Sequence, residues 1–437
     1  MNRSRGSSKG MQAGRRQFLA LSASAAALTA ARMAFPSGAF AQGAGPEVKG
    51  TKLGYIALTD SAPLIIAKEK GFFDKFGLPD MDISKQASWG ATRDNMALGT
   101  KANGIDGAHI LRPKVHMYSA GTVTQNNQKL PMYTLLNLNY DCQGISVSNE
   151  YKDLNIQKDA SPLREAFARK KAAGKELTAA MTFPGGTHDV WIRYWLAAGG
   201  IDPDNDIKVI VVPPPQMVAN MKVGTMDCFC VGEPWNEQLV NQNIGYTALT
   251  TGELWGGHPE KALGMRAEWV DANPKATLAI MMATMEAQQW CEKAENKQEM
   301  AEIVGRRQWF NVPVGDIIGR IKGDINYGLG RKVTDTGLAM KFWGKNGEVS
   351  YPYKSHDAWF VAENMRWGKF PLTMDAKALI DKTNRADLWR EAAKQIGLAD
   401  APSGDSRGVE TFFDGVKFDP ADPMGYLKSL KIKRAAV

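Results

Sequence analysis

The chain has 437 residues, 44% of them hydrophobic and 23% charged, with a formal net charge of +8. These proportions are ordinary for a globular protein and leave room for two or three domains. Six basic residues (Arg3, Arg5, Lys9, Arg15, Arg16 and Arg32) and no acidic ones fall within residues 1–41, so the remainder carries only +2 and gives no electrostatic case for a nucleic-acid partner.

Those first residues form the first recognisable element. Arg15-Arg16-Gln17-Phe18-Leu19 precedes a mild apolar run from Ala20 to Phe35, which ends at Ala39-Phe40-Ala41. A twin arginine, a weakly hydrophobic stretch and an A-x-A terminus make a bacterial twin-arginine export signal, cleaved after Ala41. The run is too short and too rich in Ala and Ser to anchor in a hydrocarbon core of roughly 30 Å. No later segment reaches about 18 apolar residues, so the expectation is a soluble body delivered to the periplasm by the twin-arginine translocase.

After the signal, short β-branched runs alternate with helical patterns, which is the mark of βαβ units. Strands are expected at 51–58, 81–87, 107–111 and 132–138. Asp60-Ser61 caps a helix that Gly71 ends. Residues 88–90 read as a loop before a helix at 91–98. A second set follows Cys142-Gln143-Gly144, with a strand at 177–182, a Pro-Gly-Gly turn, a helix over 187–198 and a strand at 207–212. Three prolines at 213–215 break the chain before a helix at 216–223 and a strand at 226–231. Beyond about 265 the pattern is mostly helical. The expected architecture is two α/β lobes with a ligand cleft between them, plus a helical C-terminal extension. Lobe 1 takes 42–140, lobe 2 takes 141–234, and 235–437 returns to lobe 1 and supplies the extension. A cleft between such lobes lies outside the carboxyl ends of the strands, where helix N-termini point.

Four cysteines (Cys142, Cys228, Cys230 and Cys291) read as buried structural thiols, because twin-arginine cargo folds before export and a bond between Cys228 and Cys230 would be strained. None of the five histidines has zinc-ligand spacing, so neither a metal nor a cofactor is expected. The chain has no nucleophile elbow and no P-loop.

Several segments together resemble a known family. Gly54-Tyr55-Ile56, Ala62-Pro63-Leu64 and Ala67-Lys68-Glu69-Lys70-Gly71-Phe72-Phe73 look like the opening of type II periplasmic solute-binding proteins. Ser88-Trp89-Gly90-Ala91-Thr92-Arg93-Asp94-Asn95, Gly185-Gly186-Thr187-His188, Val231-Gly232-Glu233-Pro234-Trp235-Asn236 and His258-Pro259-Glu260-Lys261-Ala262 look like the nitrate- and bicarbonate-binding components of ABC transporters. The resemblance runs from about residue 50 to 370. It implies a non-catalytic protein that delivers an anion to an inner-membrane permease, holding it with a Trp, a Gln, a His and a Lys. The matching positions are Trp89, Gln143, His188 and Lys261, with Gly232 letting backbone approach the ligand and Glu233 beside it.

The chemistry of those side chains agrees with the implied ligand. Nitrate has three oxygens that only accept hydrogen bonds. Trp Nε1–H, the Gln amide and the Lys ammonium all donate, and Trp89 and Thr187-His188 sit at expected helix starts, which favour anions. Bicarbonate carries one O–H and would need an acceptor; in this family its binders use calcium and extra acidic ligands. Nitrite and cyanate fit the same donors. An enzyme of the thiamine-pyrimidine synthase type shares the fold, but Cys228-Phe229-Cys230 is only a faint likeness of its cysteine-rich motif. A cytoplasmic nitrate sensor is a third reading, opposed by the export signal.

Overall fold

The computed structural model describes residues 45–436, and the twin-arginine and A-x-A segment lies outside the described residues. From Pro46 onward the chain forms one compact unit built on two five-stranded sheets. Strand β1 (Lys52–Tyr55) leads to helix α1 (Ala62–Glu69), β2 (Asp82–Lys85) to α2 (Trp89–Leu98), and β3 (Gly107–Leu111) to α3 (Lys114–Ala120), followed by β4 (Met132–Asn137). The second half holds β5 (Gln143–Ser148), β6 (Thr178–Met181), α4 (Thr187–Ala198), β7 (Lys208–Val211), β8 (Cys228–Gly232) and β9 (Gly245–Thr250). Strand β10 (Lys261–Arg266) then returns to the first sheet.

The strand orders are β2-β1-β3-β10-β4 and β7-β6-β8-β5-β9. The two sheets have the same construction. In the first, β1 runs parallel to β2 and β3, and β10 inserts antiparallel between β3 and β4. In the second, β6 runs parallel to β7 and β8, and β5 inserts antiparallel between β8 and β9. Each inserted strand is contributed just after the chain has crossed from the other lobe. Gln143 and Lys261 therefore begin the two crossover strands, at the seam between the lobes.

One expectation needs correction. Strand β9 pairs with β5, so lobe 2 extends to Thr250 and the return crossing lies between Thr250 and Lys261, not at 235. The C-terminal part is mostly helical, as expected. It contains two antiparallel hairpins, Asp324–Gly328 with Arg331–Thr334 and Glu410–Thr411 with Lys417–Phe418. Helix α5 (Pro274–Glu292) packs on α1, whereas α6 (Lys354–Arg366) and α7 (Pro423–Ser429) help close lobe 2. Trp359 of α6 and Tyr426 of α7 share an apolar core with Trp191 and Trp195 of α4, and the Trp191 and Trp359 rings are 5.0 Å apart. The four cysteines are buried free thiols, and burial pushes each thiol pKa up. No described helix is long and apolar enough to cross a membrane.

Candidate functional site

Helix α2 begins two residues earlier than the sequence suggested, because Ser88 is its N-cap: the Ser88 hydroxyl accepts from the Ala91 N–H at 3.1 Å. Trp89 is thereby placed at the first helical position instead of in a loop. Its ring lies 5.4 Å from that of His109 on β3, and its Nε1–H is buried without a partner. Helix α4 begins at Thr187, behind Gly186, with no side chain capping it. His188 follows, with Nδ1 hydrogen-bonded to the Thr182 hydroxyl and Nε2 buried without a partner. Gln143 stands opposite Gly232 in the β5–β8 register, with its Nε2 at 3.4 Å from the Thr187 hydroxyl and its Oε1 unpartnered.

Lys261 opens β10 opposite Leu111, the last residue of β3. Its Nζ donates to Asp60 Oδ2 at 2.8 Å and to Glu260 Oε2 at 3.0 Å. The other Asp60 oxygen is 2.6 Å from His109 Nε2, and the other Glu260 oxygen accepts from Trp191 Nε1 at 3.3 Å. Burial alone would raise the Asp60 carboxyl, but Lys261 and His109 hold it well below the usual carboxylate range. Burial dominates at Glu260 and pushes it up to about 8 against the pull of Lys261. Burial works against the Lys261 ammonium, yet Asp60 and Glu260 outweigh it and raise the lysine above its ordinary value. His188 is held well below its ordinary value by burial and by the nearby Lys261 charge, so it is neutral near pH 7.

The structure brings five of the six expected residues to one place. A Cβ built on Gly232 would stand 3.2 Å from Leu58 Cδ2 and 3.4 Å from Asp60 Oδ2, so the end of β8 abuts the Asp60–Lys261 pair. Gln143 and, through Thr187, the start of α4 join it from lobe 2; Trp89, His109 and Asp60 come from lobe 1. Glu233 is the exception. Its carboxylate accepts from the Glu237 N–H at 3.2 Å and faces Arg320 Nη1 at 3.6 Å, inside a buried cluster separate from Lys261. Burial raises it to about 7 against the Arg320 charge. Only its backbone reaches the seam, where the carbonyl accepts from Thr59 N at 2.7 Å.

Trp89, Gln143, His188 and Lys261 are each 0% exposed, so the lobes are closed over the group. Besides the Thr59–Glu233 bond, the Trp235 indole donates to Ala57 O at 3.0 Å, and Lys114 of α3 donates to Pro184 O in the turn before α4. Three residues of the cluster escaped the sequence reading. Asp60 passed as a helix cap, although the helix end carries no such bond. His109 sat inside an apolar strand with no motif around it. Glu260 stood in the His258–Ala262 motif without a role of its own. A buried carboxylate needs a cation, and only the fold shows that Lys261 serves both.

What this arrangement offers is an ammonium held by two buried acids, with two ring nitrogens near it, Trp89 Nε1 and His188 Nε2, that meet no hydrogen-bond partner among the described residues. Comparison with known proteins agrees. Residues 44–305 match the model of the NMT1-like family. The nitrate/nitrite-binding protein NrtA of Synechocystis sp. PCC 6803 is 59% identical over 391 residues, covering 89% of this chain and 86% of the relative. The crystal structure described as its periplasmic nitrate-binding protein matches with a TM-score of 0.86, over 89% of this chain and 100% of that one. The bicarbonate-binding protein CmpA of Synechococcus elongatus is 47% identical over 398 residues, covering 89% and 88%. The nitrate import ATP-binding protein NrtC of Synechocystis is 35% identical over 392 residues, 90% of this chain but 57% of that protein. The chain belongs to the NMT1-like family, within the group of ABC-transport solute-binding proteins that contains the nitrate/nitrite and bicarbonate binders.

Proposed function

We propose that the protein captures nitrate or nitrite in the closed cleft and delivers it to an ABC-type permease, without catalysing a reaction. The observation that carries this reading is the pair of buried, unpartnered ring nitrogens on Trp89 and His188 beside the Lys261 ammonium. Buried polar atoms are rarely left without partners, and an acceptor-only anion supplies what these lack. Lys261, Gln143 and the start of α4 complete the set, and the Gly232 backbone borders it. Charge-assisted hydrogen bonds contribute roughly 1.5–3 kcal/mol each. Micromolar affinity corresponds to about −8 kcal/mol, so most of the donors at the site must engage the ion together. The relatives named for nitrate binding and nitrate import, one of them described as periplasmic, support the same reading. On it, the chain works in the periplasm after twin-arginine export and cleavage behind Ala41.

Bicarbonate is the second reading, favoured by the CmpA likeness and by the two carboxylates at the site. Against it, the Lys261 ammonium already sits between Asp60 and Glu260, where a calcium ion serving both would have to go. Calorimetry of the chain from Gln42 onward against nitrate, nitrite, cyanate and bicarbonate, each with and without calcium, tests both readings. Nitrate or nitrite binding without calcium is expected. Bicarbonate binding that depends on calcium, with no nitrate heat, would replace the first reading by the second.

A further inference from the structure

Among the described residues, two threonine hydroxyls at the site each have a single hydrogen-bond partner, and in both cases that partner is an expected ligand residue. The Thr182 hydroxyl, 2% exposed at the end of β6, meets only His188 Nδ1. The Thr187 hydroxyl, fully buried at the start of α4, meets only the Gln143 amide. A hydroxyl carries one proton to donate, and a neutral imidazole has one donor and one acceptor nitrogen. If His188 Nδ1–H donated to Thr182, the Thr182 proton would be buried with no acceptor, and Nε2 would face the cleft as a lone pair. If Thr182 donates to Nδ1, its proton is satisfied and the imidazole proton must reside on Nε2. Each arrangement leaves one donor without a protein partner, but the first also buries the unmet Nε2 lone pair. Only the second turns its free donor into the cleft, where an anion can accept it. An unmet buried polar group costs about 1–3 kcal/mol, so the second arrangement wins.

The same reasoning applies to Gln143. With its nitrogen toward Thr187, the hydroxyl proton has no acceptor and the amide oxygen is left unpartnered. A half-turn of the amide lets Thr187 donate to Oε1 and puts the NH₂ group in the unpartnered position.

From this we infer that Thr182 and Thr187 are positioning residues that fix the hydrogen-bond polarity of the cleft, making His188 and Gln143 donors toward the ligand and thereby selecting an anion without an O–H group. The inference rests on the anion-binding reading above. Trp89 can only donate, and the four oxygens of Asp60 and Glu260 are each already engaged by Lys261, His109 or Trp191. A hydroxyl-bearing anion would therefore have to compete with those partners for an acceptor while its other neighbours donate. A planar anion with three acceptor oxygens would meet N–H at every contact.

The test combines a spectroscopic readout with binding. In ¹⁵N-histidine-labelled protein without ligand, His188 should show a protonated Nε2 and an unprotonated Nδ1. Thr182→Val keeps the shape and removes the hydroxyl. It should blur that preference and weaken nitrate binding roughly ten- to a hundredfold, with bicarbonate affected less, so that the ratio between them falls. Thr182→Ser should restore both tautomer and affinity, which loss of packing alone would not permit. Thr187→Val and Thr187→Ser should behave likewise toward nitrate. A native His188 protonated on Nδ1, or a Thr182→Val protein with native tautomer and native nitrate-to-bicarbonate ratio, overturns the inference. Failure of the native protein to bind nitrate would instead overturn the function proposed above, while the tautomer measurement still decides the role of Thr182.

Discussion

Removing Lys261 strips two buried carboxylates of the cation they share. On a cleft wall, Lys261→Ala would cost binding alone; in this network it leaves Asp60 buried and uncompensated. Nitrate binding should weaken by about 2–5 kcal/mol, and the folded state should lose about 3–5 kcal/mol as well, the usual cost of breaking a buried pair. Calorimetry reads the first and urea unfolding the second. Native affinity in the variant would remove Lys261 from the site. Trp89→Phe keeps the ring and deletes one neutral donor, so it should cost only about 1–2 kcal/mol of binding. The pH dependence follows from Glu260. The folded protein holds its proton more tightly, with a pKa of about 8 against an ordinary 4.5. Its contribution is therefore fully present below about pH 4.5 and is lost as pH rises through about 8. Glu260→Gln cannot titrate and should flatten the upper part of that decline in urea midpoints. A residual slope ending near pH 7 belongs to Glu233, which is raised to about 7. An unchanged slope up to pH 8 in Glu260→Gln would show that Glu260 is not the group responsible.

At the scale of elements, the pieces that the sequence made plain are those whose own residues determine them. Strand Gly107–Leu111 and helix Thr187–Ala198 fall at the expected bounds, because each has an apolar pattern closed by its own turn signals. The strands next to the crossings were harder to see. Gln143–Ser148 mixes Gln, Gly and Ser with Ile and Val, and its burial comes from β8 and β9 on either side. Gly245–Thr250 follows a short helix, Trp235–Asn241, and only its pairing with β5 places it in lobe 2. The site residues were legible as donor types in familiar motifs. Asp60 was not, because Lys261 and His109 are remote from it in sequence, and Glu260, although adjacent to Lys261, carried no sign that both residues are buried. The cap on α2 lies between these cases. Ser88 reads as a loop residue, yet its hydroxyl starts the helix that aims Trp89 inward. Ser88→Ala should destabilise the protein by about 1 kcal/mol. It should weaken nitrate binding by less than Trp89→Phe does, since the indole itself remains. A larger binding loss than that of Trp89→Phe would mean that the helix start itself contacts the ligand.

The whole molecule must open for an anion to reach residues that are fully buried. Both lobes contribute, with Trp89 and Asp60 from one and Gln143 and His188 from the other. Binding energy realised only when both engage one small ion shifts the population toward the closed form. The C-terminal helices limit how far the lobes can part. Helix α6 is fixed to lobe 1 by two hydrogen bonds from Arg112 to Asp357, at 2.8 and 2.9 Å, and it packs the Trp359 ring against that of Trp191 in lobe 2, tilted by 32°. Opening has to break the inter-lobe bonds from Thr59 to Glu233 and from Trp235 to Ala57, while α6 contacts both lobes. Small-angle scattering should show a smaller radius of gyration with saturating nitrate than without it. The change should grow when Asp357→Asn weakens the tie between α6 and lobe 1, because the unliganded lobes can then part further while the liganded form stays closed. Nitrate at 100 times its dissociation constant should also raise stability by about 2.7 kcal/mol, by mass action. A radius that stays constant at saturation, in a protein that still gains this stability, would mean that the anion enters an already closed cleft through local motion of side chains.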